Sequence, residues 1–275
     1  MTLMRFANLD DVPLDLDAAH LHALVHLAEL PSTMDHAHLL AAQGAASGTV
    51  VVADVQSAGR GRAGKSWVSE AGAGLWFTLI ERAVAAESLA VLSLRAGLAI
   101  AEVSAPWCDG DVLLKWPNDV LVREGRASAS ESGSSSSSTP STASALMLAK
   151  LAGVLVEARW RDAAVDWVAI GVGLNLRAPS SSTAGTRAVG LSLPVSRAEV
   201  LRLLVPRLRA AAHGSGTLSD AELAAWSARD AMIGCHAIEP AAGVLDGVGR
   251  DGSLRVIVAD GSVRACRTGS LVLAP

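Results

Sequence analysis

Residues 49–80 set the tightest limit on what this chain can fold into. Thr49–Val55 is a short β-branched run, the pattern of a buried strand, and Leu75–Ile80 reads as another. Between them Gly59–Gly74 is dense in glycine and basic residues and reads as a long loop. Gly59-Arg60-Gly61-Arg62-Ala63-Gly64-Lys65-Ser66 satisfies the phosphate-binding pattern GxxxxGK[ST] letter for letter. A P-loop, however, must open a helix whose N-terminus faces the phosphates. Here Ser66 leads into Trp67-Val68-Ser69-Glu70-Ala71-Gly72-Ala73-Gly74, with two glycines and no apolar helical period. The competing reading is an anion clamp. Arg60, Arg62 and Lys65 then converge on a phosphate or carboxylate, and the glycines allow the loop to fold over it. A solvated basic loop is the plain alternative.

Around this unit, residues 14–46 read as helical, broken at Pro31-Ser32-Thr33-Met34-Asp35, where Ser or Thr suits a helix cap. Glu87–Ala105 is a helix candidate. Asp111–Val122 holds a strand on each side of a Pro-Asn-Asp turn, and Leu151–Trp160 and Val165–Leu176 are two further strands. Residues 124–145 are Ser-rich low-complexity sequence, expected as a disordered excursion within a domain. Ser196–His213 and Ser219–Met232 look helical. From Ile233 onward short strands alternate with Asp-Gly turns at 246–247, 251–252 and 260–261, the spacing of a small β-barrel. The division expected is 1–232 and 233–275, a size that suits one large and one small domain.

Composition narrows the function. The 275 residues carry a net charge of -4, so there is no overall basic excess for nucleic-acid binding, and any anion site must be local. The start lacks the basic-then-apolar order of a signal peptide. The apolar stretch Leu89–Val103 carries Arg95 and is too short to span a bilayer. Cys108, Cys235 and Cys266 are odd in number and show no CxxC spacing, as expected of free thiols in a reducing, cytoplasmic setting. Lysine is scarce: only Lys65, Lys115 and Lys150 among 23 basic residues. Strong bias toward arginine is the plain explanation. Under that bias a surviving lysine marks a place where the wide planar fork of arginine does not fit.

Several motifs together resemble the biotin protein ligase family. Gln56–Trp67 is similar to its glycine-rich biotin-binding loop, and Lys115-Trp116-Pro117-Asn118-Asp119 to its KWPND element. Lys150-Leu151-Ala152-Gly153-Val154-Leu155-Val156-Glu157 resembles KLAGILVE, Gly171-Val172-Gly173-Leu174-Asn175 resembles GIGIN, and Ser32-Thr33 sits where the family has an early Ser-Thr pair. The likeness runs from about residue 30 to the C-terminus. All three lysines fall inside these motifs.

The resemblance implies an α+β fold: a class II synthetase-like catalytic domain with a mixed sheet backed by helices, then an SH3-like C-terminal barrel. It implies biotin and ATP with Mg2+ as reactants, no dedicated protein metal site, and a biotin carboxyl carrier protein domain as acceptor, with no nucleic-acid or membrane partner. The reaction implied is attack of the biotin carboxylate on the α-phosphorus of ATP, then transfer to a carrier lysine. Ser32, Thr33 and Gln56 would face the ureido ring, with backbone near Gly59, Gly153 and Gly171; Val154 and Leu155 would line the valeryl chain. Arg60, Arg62 and Lys150 are the candidate transition-state cations, and Arg60 and Lys150 also candidate biotin contacts. Asp119 would orient the acceptor lysine, take its proton or help hold Mg2+. Arg62, Lys65, Trp67, Asn118 and Asn175 would border the nucleotide, with Trp67 closing over the ligand.

The chain departs from the family pattern in places. Met34 stands where many members have Asn, Lys65 where many have Arg, and Ser69-Glu70-Ala71-Gly72 replaces a common Ser-Pro-x-Gly. About 30 residues precede Ser32, too few for a winged-helix domain, so repressor activity is not expected. A lipoate or octanoate transferase, a P-loop nucleotidase and a catalytically dead scaffold remain as rival readings.

Overall fold

The structure, a computed structural model, describes residues 6–9, 12–123, 148–180 and 187–274; the Ser-rich stretch 124–145 lies outside them. A seven-stranded mixed sheet forms the centre. Its strands are β3 (Ala23–Leu30), β4 (Thr49–Gln56), β5 (Gly74–Glu81), β6 (Asp111–Lys115), β7 (Asp119–Arg123), β8 (Leu148–Arg161) and β9 (Ala164–Asn175), in the order β3-β4-β5-β9-β8-β7-β6. β3 and β4 are parallel and every other neighbour is antiparallel. A short hairpin, β1 (Phe6–Leu9) with β2 (Val12–Asp15), precedes the sheet.

Helices cover both faces, which is why β4 and β5 read as unbroken apolar runs and not as alternating ones. α1 (Thr33–Ala42) packs on one face, where Ala37 and Ala41 meet Val51 and Ile80. α2 (Leu89–Ser104) and α3 (Arg197–Ala212) share the other face with Val50, Val52 and Leu79. Alternate residues of one strand therefore feed two separate cores. α4 (Asp220–Ser227) follows, closed by a reciprocal cap between Ser219 and Glu222.

Three expectations need correction. Residues 14–46 are not helical throughout: Val12–Asp15 and Ala23–Leu30 are strands, and only Thr33–Ala42 is a helix. Ala23–Leu30 is rich in Leu and Ala, but it pairs with β4 from Ala23↔Thr49 to Leu30↔Gln56, and that tertiary pairing outweighs weak intrinsic propensity. The helix expected over Ser219–Met232 ends at Ser227, because the next residues bond to β6: Leu114 N–H donates to Arg229 O and Ala231 N–H to Leu114 O. The apolar helical run is longer than expected. With its flanking 3-10 turns it covers Ala86–Trp107, 22 residues, long and apolar enough by length and composition to cross a bilayer. It lies in the core, with 72% of its most apolar window buried and Arg95 bonded to Glu222 and to the carbonyls of Ser215 and Thr217.

At the C-terminus β10 (His236–Glu239), β11 (Gly243–Val248), β12 (Leu254–Ile257), β13 (Val263–Cys266) and β14 (Val272–Leu273) form a separate antiparallel sheet, ordered β13-β12-β11-β10-β14. Two of the three expected Asp-Gly turns are present, with Gly252 and Gly261 in the left-handed region at φ 78° and 81°; Asp246-Gly247 instead lies within β11, at an irregularity in its pairing with β12 between Leu245 and Val248. Leu245, Val248, Leu254 and Val256 join the α2–α3 core, and the Trp116 indole N–H donates to Gly252 O at 3.1 Å. The second sheet is thereby fixed against the turn that carries Asn118 and Asp119.

Candidate active site

The site is built on a floor without side chains. Gly153 of β8 lies opposite Gly173 of β9, and Leu155 opposite Gly171, so three glycines share one face of two adjacent strands. The need for glycine is steric. A Cβ on Gly173 would fall 2.4 Å from the Trp67 ring, one on Gly153 2.9 Å from it, and one on Gly171 2.8 Å from Met34 Cε. Trp67 lies on this floor with its indole N–H buried and without a partner. Lys150 Nζ stands 5.0 Å from the centre of its ring.

One end of the floor is polar. Gln56, the last residue of β4, accepts at Oε1 from the Thr33 backbone N–H at 2.8 Å and from Thr33 Oγ1 at 3.1 Å. Thr78 Oγ1 donates to Thr33 Oγ1 at 3.0 Å, and Gln56 Nε2 to Ser69 Oγ at 2.8 Å. Gln56 therefore takes the first free N–H of α1, that of Thr33; a cap bond from Ser32 would go to the N–H of Met34 or Asp35. The Ser32 side chain makes no cap bond, and its hydroxyl is buried and unpartnered. An unpaired buried hydroxyl is costly, so one at the rim of a cavity marks a place for a ligand atom.

The other end is charged. Lys150 Nζ lies 2.6 Å from Asp119 Oδ1. Burial pushes the Lys115 ammonium below its ordinary pKa; Asp119 opposes this, and Lys150 and Lys65 reinforce it. Asn118 and Asn175 are frame residues. The amide of Asn118 donates to Val154 O at 2.8 Å, and that of Asn175 to the carbonyls of Lys150 and Val189 at 3.3 and 3.1 Å. These bonds tie the starts of β7 and β8 and the end of β9 together beneath the lysine.

The glycine loop does not open a helix. Arg62–Gly64 makes a single 3-10 turn containing Ala63 at φ 56°, a bridge joins Arg60 to Ser66, and the chain then runs irregularly to β5. With no helix N-terminus facing an anion, the P-loop reading fails. The loop cations are also disposed differently from expectation. Arg62 Nη1 donates to Gly269 O, in the C-terminal sheet, at 2.5 Å. The guanidinium of Arg60, itself a lining residue, lies between Asp35 at 2.7 Å and Glu157 at 2.5 Å, and neither carboxylate lines the cavity. Burial works against its charge, yet the two carboxylates outweigh burial and hold its pKa above the ordinary arginine value. Lys65 is exposed at the loop's edge.

Every candidate residue expected from the sequence except Gly59 lines one cavity of about 390 Å3. Gly59 sits behind it at the neck of the loop, where its carbonyl accepts from Trp67 N–H at 2.8 Å and a Cβ would lie 2.4 Å from Trp67 O. Among the further lining residues not singled out from the sequence are Phe77, Thr78, Gly173, Ala188, Ser270 and Leu271. Gly173 was legible as the second glycine of an alternating pair on a strand; Ser270 and Leu271 depend on how the two sheets meet. Among the described residues no group of three or more His, Cys, Asp or Glu gathers to hold a metal.

The Biotin/lipoate A/B protein ligase family matches residues 27–175 of this chain. The chain belongs to that family. Among relatives, this family member is 31% identical over 221 residues to the biotin--[acetyl-CoA-carboxylase] ligase of Paracoccus denitrificans, covering 76% of this chain and 81% of that one. It is 32% identical over 158 residues to the bifunctional ligase/repressor BirA of Bacillus spizizenii; the match covers 57% of this chain and 41% of BirA, under half of that relative's length. A biotin protein ligase from Aquifex aeolicus, solved in complex with biotin and ATP, superposes with a TM-score of 0.67 at 23% identity, over 92% of this chain and 99% of that one. That likeness establishes the shared mixed α+β fold.

Proposed function

We propose that this protein is a biotin protein ligase. It joins biotin to AMP at the expense of ATP, then passes the biotinyl group to a lysine of a biotin carboxyl carrier protein domain. One observation carries the reading: a single cavity sets an unpartnered Ser32 hydroxyl and the Gln56–Thr33 network at one end of a glycine floor, and the Lys150–Asp119 pair at the other. A ureido ring needs short hydrogen-bonding groups, a valeryl chain needs a smooth apolar channel, and a carboxylate meeting a phosphate needs cations. The dithiolane ring of lipoate would leave the Ser32 hydroxyl unpaired, which favours biotin within the family.

In the first step a biotin carboxylate oxygen attacks the α-phosphorus, the bond to the β-phosphate oxygen breaks, and pyrophosphate leaves. Lys150 stabilises the charge that grows on the phosphoryl oxygens, with Arg62 at the loop side. Mg2+ enters with the nucleotide. Asp119, the carboxylate among the lining residues, would help hold it, and the ion would supply neutralisation of the phosphate charge. In the second step the neutral amine of the acceptor lysine attacks the acyl carbon, the acyl–oxygen bond breaks, AMP leaves, and Asp119 takes the amine proton. Trp67 covers the floor and excludes water from the anhydride. Lys65, Asn118 and Asn175 border the nucleotide.

The same reading makes residues 233–275 an SH3-like unit that completes the site, 1–232 the catalytic unit, and the compartment cytoplasmic, in keeping with free Cys108, Cys235 and Cys266. Biotin-dependent exchange of labelled pyrophosphate into ATP tests it, with lipoate as a parallel arm. Exchange with biotin that is lost in Lys150→Ala supports the reading; no exchange with biotin by the folded protein removes it.

A further inference from the structure

Among the basic residues of the loop, Arg60 is held by side chains that the proposed reaction does not use. Asp35 projects from the first turn of α1 and Glu157 from the middle of β8, two elements packed into the rigid body of the protein. Arg60 bridges them: Nη1 donates to Asp35 at 2.7 Å and more weakly to Glu157 at 3.5 Å, and Nη2 donates to Glu157 at 2.5 Å. Glu157 is itself held from behind, because its second oxygen accepts from His38 Nε2 at 2.9 Å.

The direction of that last bond follows from the next one. His38 Nδ1 accepts the indole N–H of Trp167 at 2.9 Å, so the ring proton must sit on Nε2, where it is donated to Glu157. Burial favours this neutral ring by holding the His38 pKa below its ordinary value. A continuous chain, Trp167–His38–Glu157–Arg60, thus runs from the sheet to the loop. Arg159 lies 3.9 Å from the same carboxylate and adds to its hold.

Other ties hold parts of the loop, among them Arg62 to Gly269 O, Ser69 to Gln56 and Glu70 to Ser180, but Arg60 is the loop side chain that binds two carboxylates at once. The neck of the loop is closed by Trp67 N–H to Gly59 O and Gly61 N–H to Lys65 O, and glycines occupy positions 59, 61, 64, 72 and 74. Such a loop spends conformational entropy to stay ordered. We propose that Asp35 and Glu157 are positioning residues that clamp the Gly59–Gly74 loop over the cavity through Arg60, and so set how long an acyl-adenylate stays enclosed. The inference rests on the ligase reading for the nature of the intermediate, but not for the clamp itself. Asp35 is 57% exposed, so solvent screens that half of the clamp, while Glu157 at 18% is the firmer anchor.

The test uses the full chain with Glu157→Gln, Asp35→Asn and the double variant. Because clamping by partly exposed pairs biases an equilibrium modestly, each single change is expected to raise KM for biotin about fivefold and leave kcat for pyrophosphate exchange within about twofold. Release of biotinyl-AMP into solution should rise in the same variants. Glu157→Asp, which keeps the charge, should recover part of the loss. Wild type at high salt should behave like the single variants. A purely structural role would lower thermal stability and leave KM and adenylate release alone. An independent arm needs no substrate: trypsin should cut after Arg60, Arg62 or Lys65 faster in the Gln and Asn variants than in wild type. Unchanged KM, release and cleavage rates in a wild type that does exchange would overturn the clamp. A wild type without biotin-dependent exchange would instead remove the ligase reading, and the trypsin rates alone would then decide the clamp.

Discussion

Replacing Ser32 by Ala separates a binding hydroxyl from an ordinary helix cap, because the two roles predict stability changes of opposite sign. As a cap, Ser32 would contribute about 1 kcal/mol, and its loss would lower stability by that amount. The structure argues against this. The Thr33 N–H that opens α1 is taken by Gln56 Oε1, no cap bond reaches the Ser32 side chain, and its hydroxyl is buried without a partner. Removing an unsatisfied buried hydroxyl relieves a desolvation cost of roughly 1–3 kcal/mol. Taking the lower end of that range, ligand-free Ser32→Ala should melt a few degrees higher, at about 2–4 °C per kcal/mol for a protein of this size. Biotin binding should weaken at the same time. A neutral hydrogen bond to the ureido group contributes a net of about 1 kcal/mol, which is roughly a fivefold rise in KM. Thermal unfolding without ligands and the KM for biotin in pyrophosphate exchange measure the two effects on one preparation. A variant that melts lower by the cap amount and keeps the wild-type KM would refute the reasoning and return Ser32 to the role of a plain N-cap.

Gly173→Ala should displace Trp67 from the floor, since the new methyl would lie 2.4 Å from its ring; a change in tryptophan emission with weaker biotin binding is expected, and an unchanged spectrum would mean that the ring sits elsewhere. Lys150→Arg should lower exchange by about a hundredfold, because a shift of about an ångström in a catalytic group is that costly; near-normal exchange in this variant would show that only the charge matters. Glu222 has its carboxyl held below the ordinary glutamate value of 4.5, first by its hydrogen bond from Arg95. Its pair therefore stabilises the fold above that value, and the contribution fades as pH falls through the lower folded pKa. Urea unfolding should show Glu222→Gln less stable than wild type at pH 7, with the gap closing on acidification; a gap independent of pH would count against the pair.

What was legible in the fold follows from how local each signal was. β4, β5, β8 and β9 are recognisable because burial on both faces demands apolar runs, and the Asp-Gly turns at 251–252 and 260–261 announce short strands of the C-terminal sheet, whereas the same dipeptide at 246–247 lies inside β11. Ala23–Leu30 was not recognisable. It is an edge strand whose sole sheet partner among the described residues is β4, and nothing inside ALVHLAEL distinguishes a strand from a helix. The true end of α4 was hidden for a related reason, since the residues after Ser227 leave the helix to bond with Leu114, more than a hundred positions away.

The site shows the same division more sharply. Motifs brought most of the lining residues into view, yet they did not distinguish the side chains that meet a ligand from those that hold the frame. Asn118 and Asn175 are spent on main-chain carbonyls, and Arg60 on two carboxylates contributed by α1 and β8. The scarcity of lysine proved more discriminating than the motifs for the charged end. All three lysines line the cavity, and Lys150 shows why arginine does not replace it there. Its ammonium fits between Asp119 at 2.6 Å and the face of Trp67, and the space above Gly153 is so tight that a Cβ would come within 3.3 Å of the same nitrogen. A planar guanidinium with its nitrogens fixed in a fork has no such compact form. The exposed Lys65 is under no such constraint and its retention has no steric explanation, whereas Lys150, in a chain otherwise committed to arginine, occupies a narrow gap that takes a single point of charge.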